Sequence, residues 1–473
     1  MNLCLSIAPA SMEEALGLLR RIPPSADLVE LRVDGITDLE LGPLLRKKRR
    51  PLLVTNRRSD EGGKFRGSGA SQVALLSEAA ELGAEFVDVE LVLGRKVIES
   101  MRRRHPGTGI VCSYHNIAET PSNLPEIFER MAGTGADVLK IATMANDITD
   151  CEAIFRLHEV ARSRRRRFIG IAMGEAGTMT RILGPKFGAW MTFASSGEGS
   201  GTAPGQVSLE DLRGLYRVGR LNRSTRVFGL AGNPVSQSRG ICFHNGAFAR
   251  SSVNAVYVNF LVSDLPAFVG TFGELFTGLS ITMPFKREIV KLLDRLDMTA
   301  AESGSVNTVL KRRGKLVGYN TDYEAIRSLL HNRIRRKSTA VILGTGATSR
   351  SMALAALAGG SQTTILGRSA EKARALAREL QCDWGTMDRL GSLHADILMN
   401  GTPVGMTGSP DRSFRLPRTL LRRDMLVFDA VYRPEVTPLL LRARKTGCDT
   451  ISGTEMFTRQ AELQARLFLG ACR

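Results

Sequence analysis

The sequence predicts an α/β protein: an N-terminal (β/α)8 TIM barrel, then a second α/β unit whose last part is a Rossmann-type dinucleotide fold. Three observations predict it. Up to about residue 220, eight short apolar strands alternate with helix-like segments. A basic, polar stretch, "YRVGRLNRSTR", then interrupts the pattern. Beyond it the alternation resumes and reaches "STAVILGTGATSRSMALAALAGG", the apolar strand, glycine turn and small-residue helix that open a dinucleotide-binding unit.

The eight strands are "LCLSIA", "DLVELRVD", "PLLVTNR", "EFVDVEL", "GIVCSYH", "VLKIATM", "FIGIAM" and "WMTFAS". Parallel strands need helical crossovers, and eight of them close around a filled interior. Such a barrel carries its chemistry at the carboxyl ends of its strands. Glu30, Arg32, Arg57, Glu90, His115 and Lys140 lie there, with Arg181 and Gln206 expected in the loops after the last two strands. After the interruption, "AVYVNF" and "GLSITM" read as further strands with helices between them.

At 473 residues the chain has room for three domains of roughly 150 residues each. No apolar run approaches the ~20 residues of a membrane span, and "MNLCLSIAPA" lacks the basic flank and long apolar region of a secretory signal. The seven cysteines stand singly, with no C-x-x-C pair and no Cys/His cluster, so neither a metal site nor a disulfide framework is expected. The expectation is a cytoplasmic protein without membrane contact, plastid location requiring that a transit segment has been removed.

The net charge of +18 falls in runs, at 46–50, 102–105, 164–167 and 333–337. Nucleic-acid binders carry such runs. These fall at helix ends and loops, where cations offset the C-terminal dipole, so the runs are read first as solvated helix ends and not as a nucleic-acid surface. Small anionic substrates also benefit from positive potential. Oligomeric state is not legible.

Lys140 stands inside an apolar strand, "GADVLKIATM". A lysine in a strand commonly snorkels outward, but in a barrel mouth a desolvated amine can attack a ketone and form a Schiff base. His115 ends the neighbouring strand and suits acid/base work near neutral pH. Arg32, Arg57 and Arg181 could hold a carboxylate bidentately, which suggests an anionic substrate.

In the later half, the loop Gly344, Thr345, Gly346, Ala347, Thr348 opens a helix whose N-terminus can take a pyrophosphate. An acidic residue about 20 positions on would bind the ribose of NAD. Here the next strand ends in Gly367, Arg368 and Ser369, with Lys372 nearby, which suits a 2′-phosphate and favours NADP. Lys286 comes just after a strand and Asp322 after a turn; such a pair can relay a proton at a hydroxyl while a nicotinamide carries hydride.

The motifs "ELRVD", "EGGKF", "EFVDVEL", "CSYHN", "GADVLKIA", "MTRILGPKFGAWMTFAS" and "TAPGQ" together resemble type I 3-dehydroquinate dehydratase across the first half. The resemblance implies Lys140 as the Schiff-base lysine and His115 as the proton shuttle. Ser6, Glu30, Arg32, Arg57, Arg181, Thr202 and Gln206 would surround the substrate, Thr202 standing where the family often has serine. Downstream, "GNPVSQS", "ITMPFK", "GSVNTV", "GYNTD", "GTGATS", "GTPVGM", "FDAVYRPEVTPLL" and "GTEMFTRQA" are similar to shikimate dehydrogenase. That similarity implies Lys286 and Asp322 as catalytic, with Ser236, Ser238, Thr282, Asn307, Tyr432 and Gln460 near the substrate. Gly344 to Thr348, Arg368, Ser369, Lys372, Thr402 and Gly453 would meet the cofactor.

Fused in this order, the halves resemble the bifunctional dehydroquinate dehydratase/shikimate dehydrogenase family. The expected domains are 1–222 for the barrel, 226–330 with helix 453–473 for substrate binding, and 331–450 for NADP. The expected substrates are 3-dehydroquinate, 3-dehydroshikimate and shikimate. Three departures from the family pattern stand out: Gly240 replaces a serine, "GRS" replaces the "NRT" cofactor turn, and Tyr323 replaces a glycine. Two rivals remain open: an NAD-dependent quinate dehydrogenase in the second half, and a basic nucleic-acid-binding regulator with an enzyme-like shell.

Overall fold

The computed structural model describes residues 1–472 except 198–200, 237, 412, 415, 418 and 419. Its contacts divide the chain into two compact units, Met1–Phe276 and Thr277–Arg473. The boundary lies inside the stretch 226–330 expected as one domain.

In the first unit, eight strands run β1 (Asn2–Ile7), β2 (Leu28–Arg32), β3 (Leu52–Thr55), β4 (Phe86–Glu90), β5 (Gly109–Asn116), β6 (Val138–Met144), β7 (Arg167–Met173) and β8 (Met191–Ser195). Every sequence-predicted strand is present. Neighbours pair in parallel in the order β7-β6-β5-β4-β3-β2-β1-β8, and β9 (Val207–Ser208) adds to the end of β8. At the seam between β7 and β8, the Trp190 N–H donates to Phe168 O at 2.9 Å. Seven helices, from Met12–Arg20 to Thr178–Phe187, supply the crossovers.

Side-chain alternation decides what fills the interior. On β6, Val138 and Ala142 join Cys4, Leu53, Val111, Ile169 and Phe193 in one buried cluster. Lys140, between them in period two, shares that inner face, while Leu139 and Ile141 point to the surrounding helices.

The basic runs lie in the last turns of, or just past, helices Leu41–Arg46, Arg95–Arg104, Cys151–Ser163 and Thr321–Leu330. Several of their donors are spent on main-chain carbonyls: Arg50 on Pro24 O (2.8 Å), Arg102 on Gly135 O (2.5 Å) and Arg166 on Ala132 O (3.0 Å). These arginines supply the donors that helix C-terminal ends and their loops lack.

The first unit continues through a tight turn at 222–225 into β10 (Arg226–Gly232), helix Gly240–Arg250, β11 (Ala255–Leu261) and helix Leu265–Phe272, with β10 and β11 parallel. Strand β12 (Phe276–Ile281) begins at the boundary.

In the second unit β12 pairs antiparallel with β14 (Thr308–Arg312), which forms a hairpin with β15 (Lys315–Tyr319); a short β13 (Arg295–Leu296) lies parallel to β15. Helix Thr321–Leu330 leads to six parallel strands: β16 (Thr339–Leu343), β17 (Gln362–Gly367), β18 (Asp383–Thr386), β19 (Ile397–Asn400), β20 (Leu426–Asp429) and β21 (Asp449–Ile451). Their order is β18-β17-β16-β19-β20-β21. This is the doubly wound order 3-2-1-4-5-6, whose switch point falls between β16 and β19. Tyr323 is buried among Ile326, Met352 and Ala353, so its ring fills core between two helices. Among the described residues no helix is long and apolar enough to cross a membrane, and no His/Cys/Asp/Glu group could hold a metal ion.

Candidate active sites

At the carboxyl ends of the barrel strands lies a cavity of about 100 Å³, lined by Glu30, Arg32, Arg57, Glu61, His115, Lys140, Arg181, Phe193, Thr202 and Gln206, among others. Strand pairing sets Ser113 opposite Lys140 and His115 opposite Ala142, so His115 stands one inward position nearer the mouth than the lysine.

Lys140 is 4% exposed. Its Nζ lies 3.1 Å from Glu30 Oε1, 3.3 Å from Asp88 Oδ2 and 4.2 Å from the centroid of the Phe193 ring. Burial would raise the pKa of Glu30 and of Asp88. Lys140 and Arg32 hold Glu30 below the carboxylate range, and Arg57 and Lys140 do the same for Asp88. A buried cation is thus compensated on two sides.

His115 Nδ1 lies 3.0 Å from Glu61 Oε2, and its backbone N–H donates to the same oxygen at 3.2 Å. Burial, then the positive charges of Arg57, Lys140 and Arg32, push the imidazole pKa well down. Burial pushes Glu61 up to about 8; Arg57 opposes this, and Glu90 and Asp88 add to it. The contact is therefore a hydrogen bond between neutral partners near pH 7, not an ion pair. Glu61 fixes Nδ1 and leaves Nε2 for a substrate.

The three arginines are not equivalent. Arg57, 2% exposed, reaches Asp88 (2.8 Å), Glu90 (2.9 Å), Ser113 (2.9 Å) and Glu61 (3.3 Å). Burial alone would lower its pKa; Asp88 and Glu90 outweigh that and raise it. Arg32 is held bidentately by Asp34, both contacts at 2.7 Å. Arg181 sits in helix Thr178–Phe187, not in the loop where the sequence put it. It has no ion pair among the described residues: Nη2 donates to Pro204 O at 3.3 Å, and Nε is buried without a partner. Burial lowers its pKa to about 10. Of the three arginines it is the one with no carboxylate partner among the described residues.

Thr202, Ser6 and Gln206 connect this wall to the lysine. Thr202 Oγ1 donates to Ser6 Oγ (2.8 Å), and Ser6 donates to Glu30 Oε2 (2.5 Å). Gln206 Nε2 donates to Thr202 Oγ1 at 3.1 Å. Glu90, expected at the mouth, is 0% exposed and holds Arg57 and Gln72, so it supports the site from behind. Glu61, Asp88 and Phe193 were not singled out from the sequence. Glu61 lies in the quoted "EGGKF", and Asp88 is an acid in an otherwise apolar strand, the same anomaly that exposed Lys140.

In the second unit Lys286 Nζ and Asp322 Oδ2 are 2.6 Å apart and partly exposed. Val306 N–H donates to Lys286 O (2.8 Å), tying the lysine's segment to Asn307. Asn307 Nδ2 donates to Thr321 Oγ1 (2.9 Å), and Thr321 Oγ1 lies 3.4 Å from Gln460 Oε1. Lys286, Asp322, Asn307 and Gln460 are thus linked through the 304–307 segment and the start of helix Thr321–Leu330. Thr282, half-buried, comes directly after β12, and the ring of Tyr432 lies 5.5 Å from that of Phe457.

Ser236 and Ser238 belong to the first unit; Ser236 is exposed, and Ser238 Oγ accepts from Gly240 N at 3.1 Å. Gln237, between them, lies outside the described residues. A Cβ at Gly240 would meet Ser238 Oγ at 3.2 Å and Tyr257 Oη at 3.4 Å, so hydroxyls already flank the place of the missing serine.

The residues after β16 fit a dinucleotide. Gly344 has φ +107°, and a Cβ there would meet Ser349 Oγ at 2.6 Å and Thr402 Cγ2 at 2.7 Å. Gly346 opens into free space and begins helix Ala347–Ala358 with no side-chain cap, so the first-turn N–H groups, with Thr345 and Thr348 beside them, face outward for a pyrophosphate. Thr402 sits across the switch point, held by Asn400. Arg368 comes directly after β17 with its side chain 86% exposed and, among the described residues, only a distant contact to Asp411 at 3.6 Å; Ser369 caps the next helix at Lys372. Gly453 lies so close to Val431 O that a Cβ would be 2.3 Å from it.

Residues 3–222 match the type I 3-dehydroquinase family and residues 230–309 the shikimate dehydrogenase substrate binding domain. The chain is 36% identical over 473 residues to the chloroplastic bifunctional 3-dehydroquinate dehydratase/shikimate dehydrogenase of Arabidopsis thaliana, covering 94% of this chain and 78% of that protein. The chain belongs to the bifunctional 3-dehydroquinate dehydratase/shikimate dehydrogenase family. It is also 30% identical to a shikimate biosynthesis protein of Chlamydia pneumoniae, covering 98% and 95% of the two chains. A shikimate dehydrogenase (NADP(+)) of Pyrococcus abyssi is 36% identical over 249 residues, 52% of this chain and 92% of that one.

Proposed function

We propose that the barrel dehydrates 3-dehydroquinate to 3-dehydroshikimate, and that the later half reduces this product to shikimate with NADPH. The observation that carries the reading is Lys140, an amine buried between Glu30 and Asp88 with His115 lining the same cavity.

Lys140 Nζ passes one proton to a caging carboxylate and attacks the substrate ketone as the free amine; the proton then returns to the carbinolamine hydroxyl, which leaves as water and gives a protonated imine. The imine carries the same single positive charge as an ammonium, in the same cage of Glu30, Asp88 and the Phe193 face, so its formation leaves no new charge uncompensated. The imine draws electrons from the adjacent carbon, and His115 Nε2 removes that carbon's proton. The electron pair then expels the substrate hydroxyl, which leaves as water after taking a proton, and hydrolysis of the imine restores Lys140. Arg181, with Thr202 and Gln206 on the same wall, holds the ring carboxylate.

In the second half, Lys286 and Asp322 hold and move the proton at the reacting oxygen, while Asn307 and Gln460 orient the ring hydroxyls. The Gly344–Thr348 turn would hold NADPH, with Arg368 available to its 2′-phosphate, and the bound cofactor would supply the hydride. The reading assigns 1–222 to the dehydratase, 226–330 with helix 453–473 to shikimate binding, and 331–450 to NADP; the family matches at 3–222 and 230–309 support the first two. Seven free cysteines support a reducing, cytoplasmic location.

The test is a one-pot assay. Protein given 3-dehydroquinate and NADPH oxidises the NADPH and accumulates shikimate. Lys140→Ala abolishes this but still oxidises NADPH with 3-dehydroshikimate; a variant inactive in both assays, or active in both, contradicts the reading. The rival reading of the second half, an NAD-dependent quinate dehydrogenase, is tested in the same preparation. Faster turnover of quinate and NAD than of shikimate and NADP would replace the shikimate assignment.

A further inference from the structure

Helix Thr178–Phe187 carries Arg181 in its first turns, yet its sequence is a poor helix. Gly184 adds backbone freedom, and Pro185 removes the N–H that would have bonded the carbonyl of Arg181 itself. The residues just past the proline are anchored from outside the barrel. Lys186 Nζ donates to the carbonyls of Arg223 (2.9 Å) and Thr225 (3.0 Å), in the turn that leads into β10. That turn is stiff: Thr225 is buried, its Oγ1 accepts from Asn222 N (2.8 Å) and donates to Asn254 Oδ1 (2.7 Å), and Asn254 Nδ2 returns to Asn222 at 3.1 Å. Beside the lysine, Phe187 stacks on Phe155 at 4.1 Å, and Phe155 meets Phe272 edge-on at 6.4 Å. A further tie holds the loop after β6, the strand of Lys140: Ser263, just past β11, donates to Asp147.

We propose that Lys186 is a positioning residue for the dehydratase, and that segment 222–276 serves as a brace that holds the Arg181 helix against the substrate carboxylate. The inference rests on Arg181 as the carboxylate ligand. It explains why residues 226–276 belong by contact to the barrel unit. A three-donor ammonium closing on two carbonyls anchors the helix from outside at the turn where Pro185 leaves it one internal bond short, just beyond the arginine.

A brace acting through a carboxylate ligand remote from the reacting carbons alters ground-state and transition-state binding together, so its loss raises KM and leaves kcat. The experiment uses the full chain as Lys186→Met, Lys186→Arg and Arg181→Ala. Lys186→Met raises the KM for 3-dehydroquinate about 5- to 20-fold with kcat within 2-fold, and Lys186→Arg restores most of the loss. Its NADPH-dependent reduction of 3-dehydroshikimate stays within 2-fold, which excludes general unfolding. An unchanged KM in Lys186→Met, while Arg181→Ala raises it, overturns the brace alone. An unchanged KM in Arg181→Ala removes the carboxylate assignment and the brace with it. A fall in kcat, with or without loss of the reductase, also overturns the proposal.

Discussion

The two lysines at the centre of the two sites live in opposite surroundings. Lys140 is walled in by Glu30, Asp88 and Phe193, and Arg57 behind them is bound to four side chains. Lys286 has one close carboxylate, Asp322, and its side chain is 20% exposed. Covalent chemistry on an imine demands that a cation be desolvated and compensated before the substrate arrives, and the barrel builds that compensation into its interior. Proton relay beside a hydride donor needs an open face that admits a large cofactor, so its lysine stays near water. Under the proposed chemistry, preorganisation is dense where the protein's own atom reacts and sparse where a bound group reacts.

The largest expected effects cut this comparison cleanly. Lys140→Ala lowers dehydratase kcat by about 10⁴-fold or more, the scale of removing a covalent nucleophile, and leaves the reductase intact. Lys286→Ala slows only the reductase, by roughly 10²- to 10⁴-fold. Cross-talk between the two in steady-state assays would break the account of independent sites.

Arg57→Met tests the cage. It strands Asp88 and Glu90 in the interior and costs about 3–5 kcal/mol in urea unfolding of the barrel signal. Because Asp88 and Glu30 are held below the carboxylate range, their contribution is present above about pH 4 and is lost as pH falls through their folded values. The variant, lacking Arg57, shows this acid limb at higher pH. An equivalent loss from Asp322→Asn in the second unit would erase the contrast.

Arg368→Ala raises the KM for NADPH about 10- to 100-fold, the loss of a charged hydrogen bond worth about 1.5–3 kcal/mol, and leaves the KM for NADH unchanged. An equal effect on both cofactors would remove the 2′-phosphate contact.

The smallest expected effect concerns His115. Below about pH 8, Glu61 keeps its proton and Nδ1 accepts it. Above that value Nδ1–H donates to the ionised carboxylate, and Nε2 holds the lone pair that a base needs. Dehydratase kcat/KM therefore rises with pH to a plateau past about 8, and Glu61→Gln abolishes that inflection; a profile unchanged by the substitution removes Glu61 from the proton path. In stability the sign is opposite: the folded state binds the extra proton, so stability declines as pH rises from about 4.5 to about 8.

The barrel was legible because each strand is a short apolar run between turns, and all eight form. Lys140 and His115 were legible because each breaks such a run. The rest of the cage was not, because Asp88 lies 52 residues from Lys140 and meets it only when β4, β5 and β6 close side by side. The roles of the three arginines were hidden for a similar reason. Asp34 is near enough in sequence to suggest that Arg32 is already paired, but the partners of Arg57 come from β4, β5 and a 3-10 turn. In the second half, the glycine turn and Arg368 stood where the doubly wound order needs them. The meeting of Lys286 with Asp322, 36 residues apart, required the structure.

The most direct test of the central claim is reductive trapping. Borohydride added during turnover of 3-dehydroquinate fixes the imine, and peptide mass spectrometry is expected to place the adduct on Lys140. The absence of an adduct, or its appearance on another lysine, would contradict the assignment of a Schiff base to the caged amine.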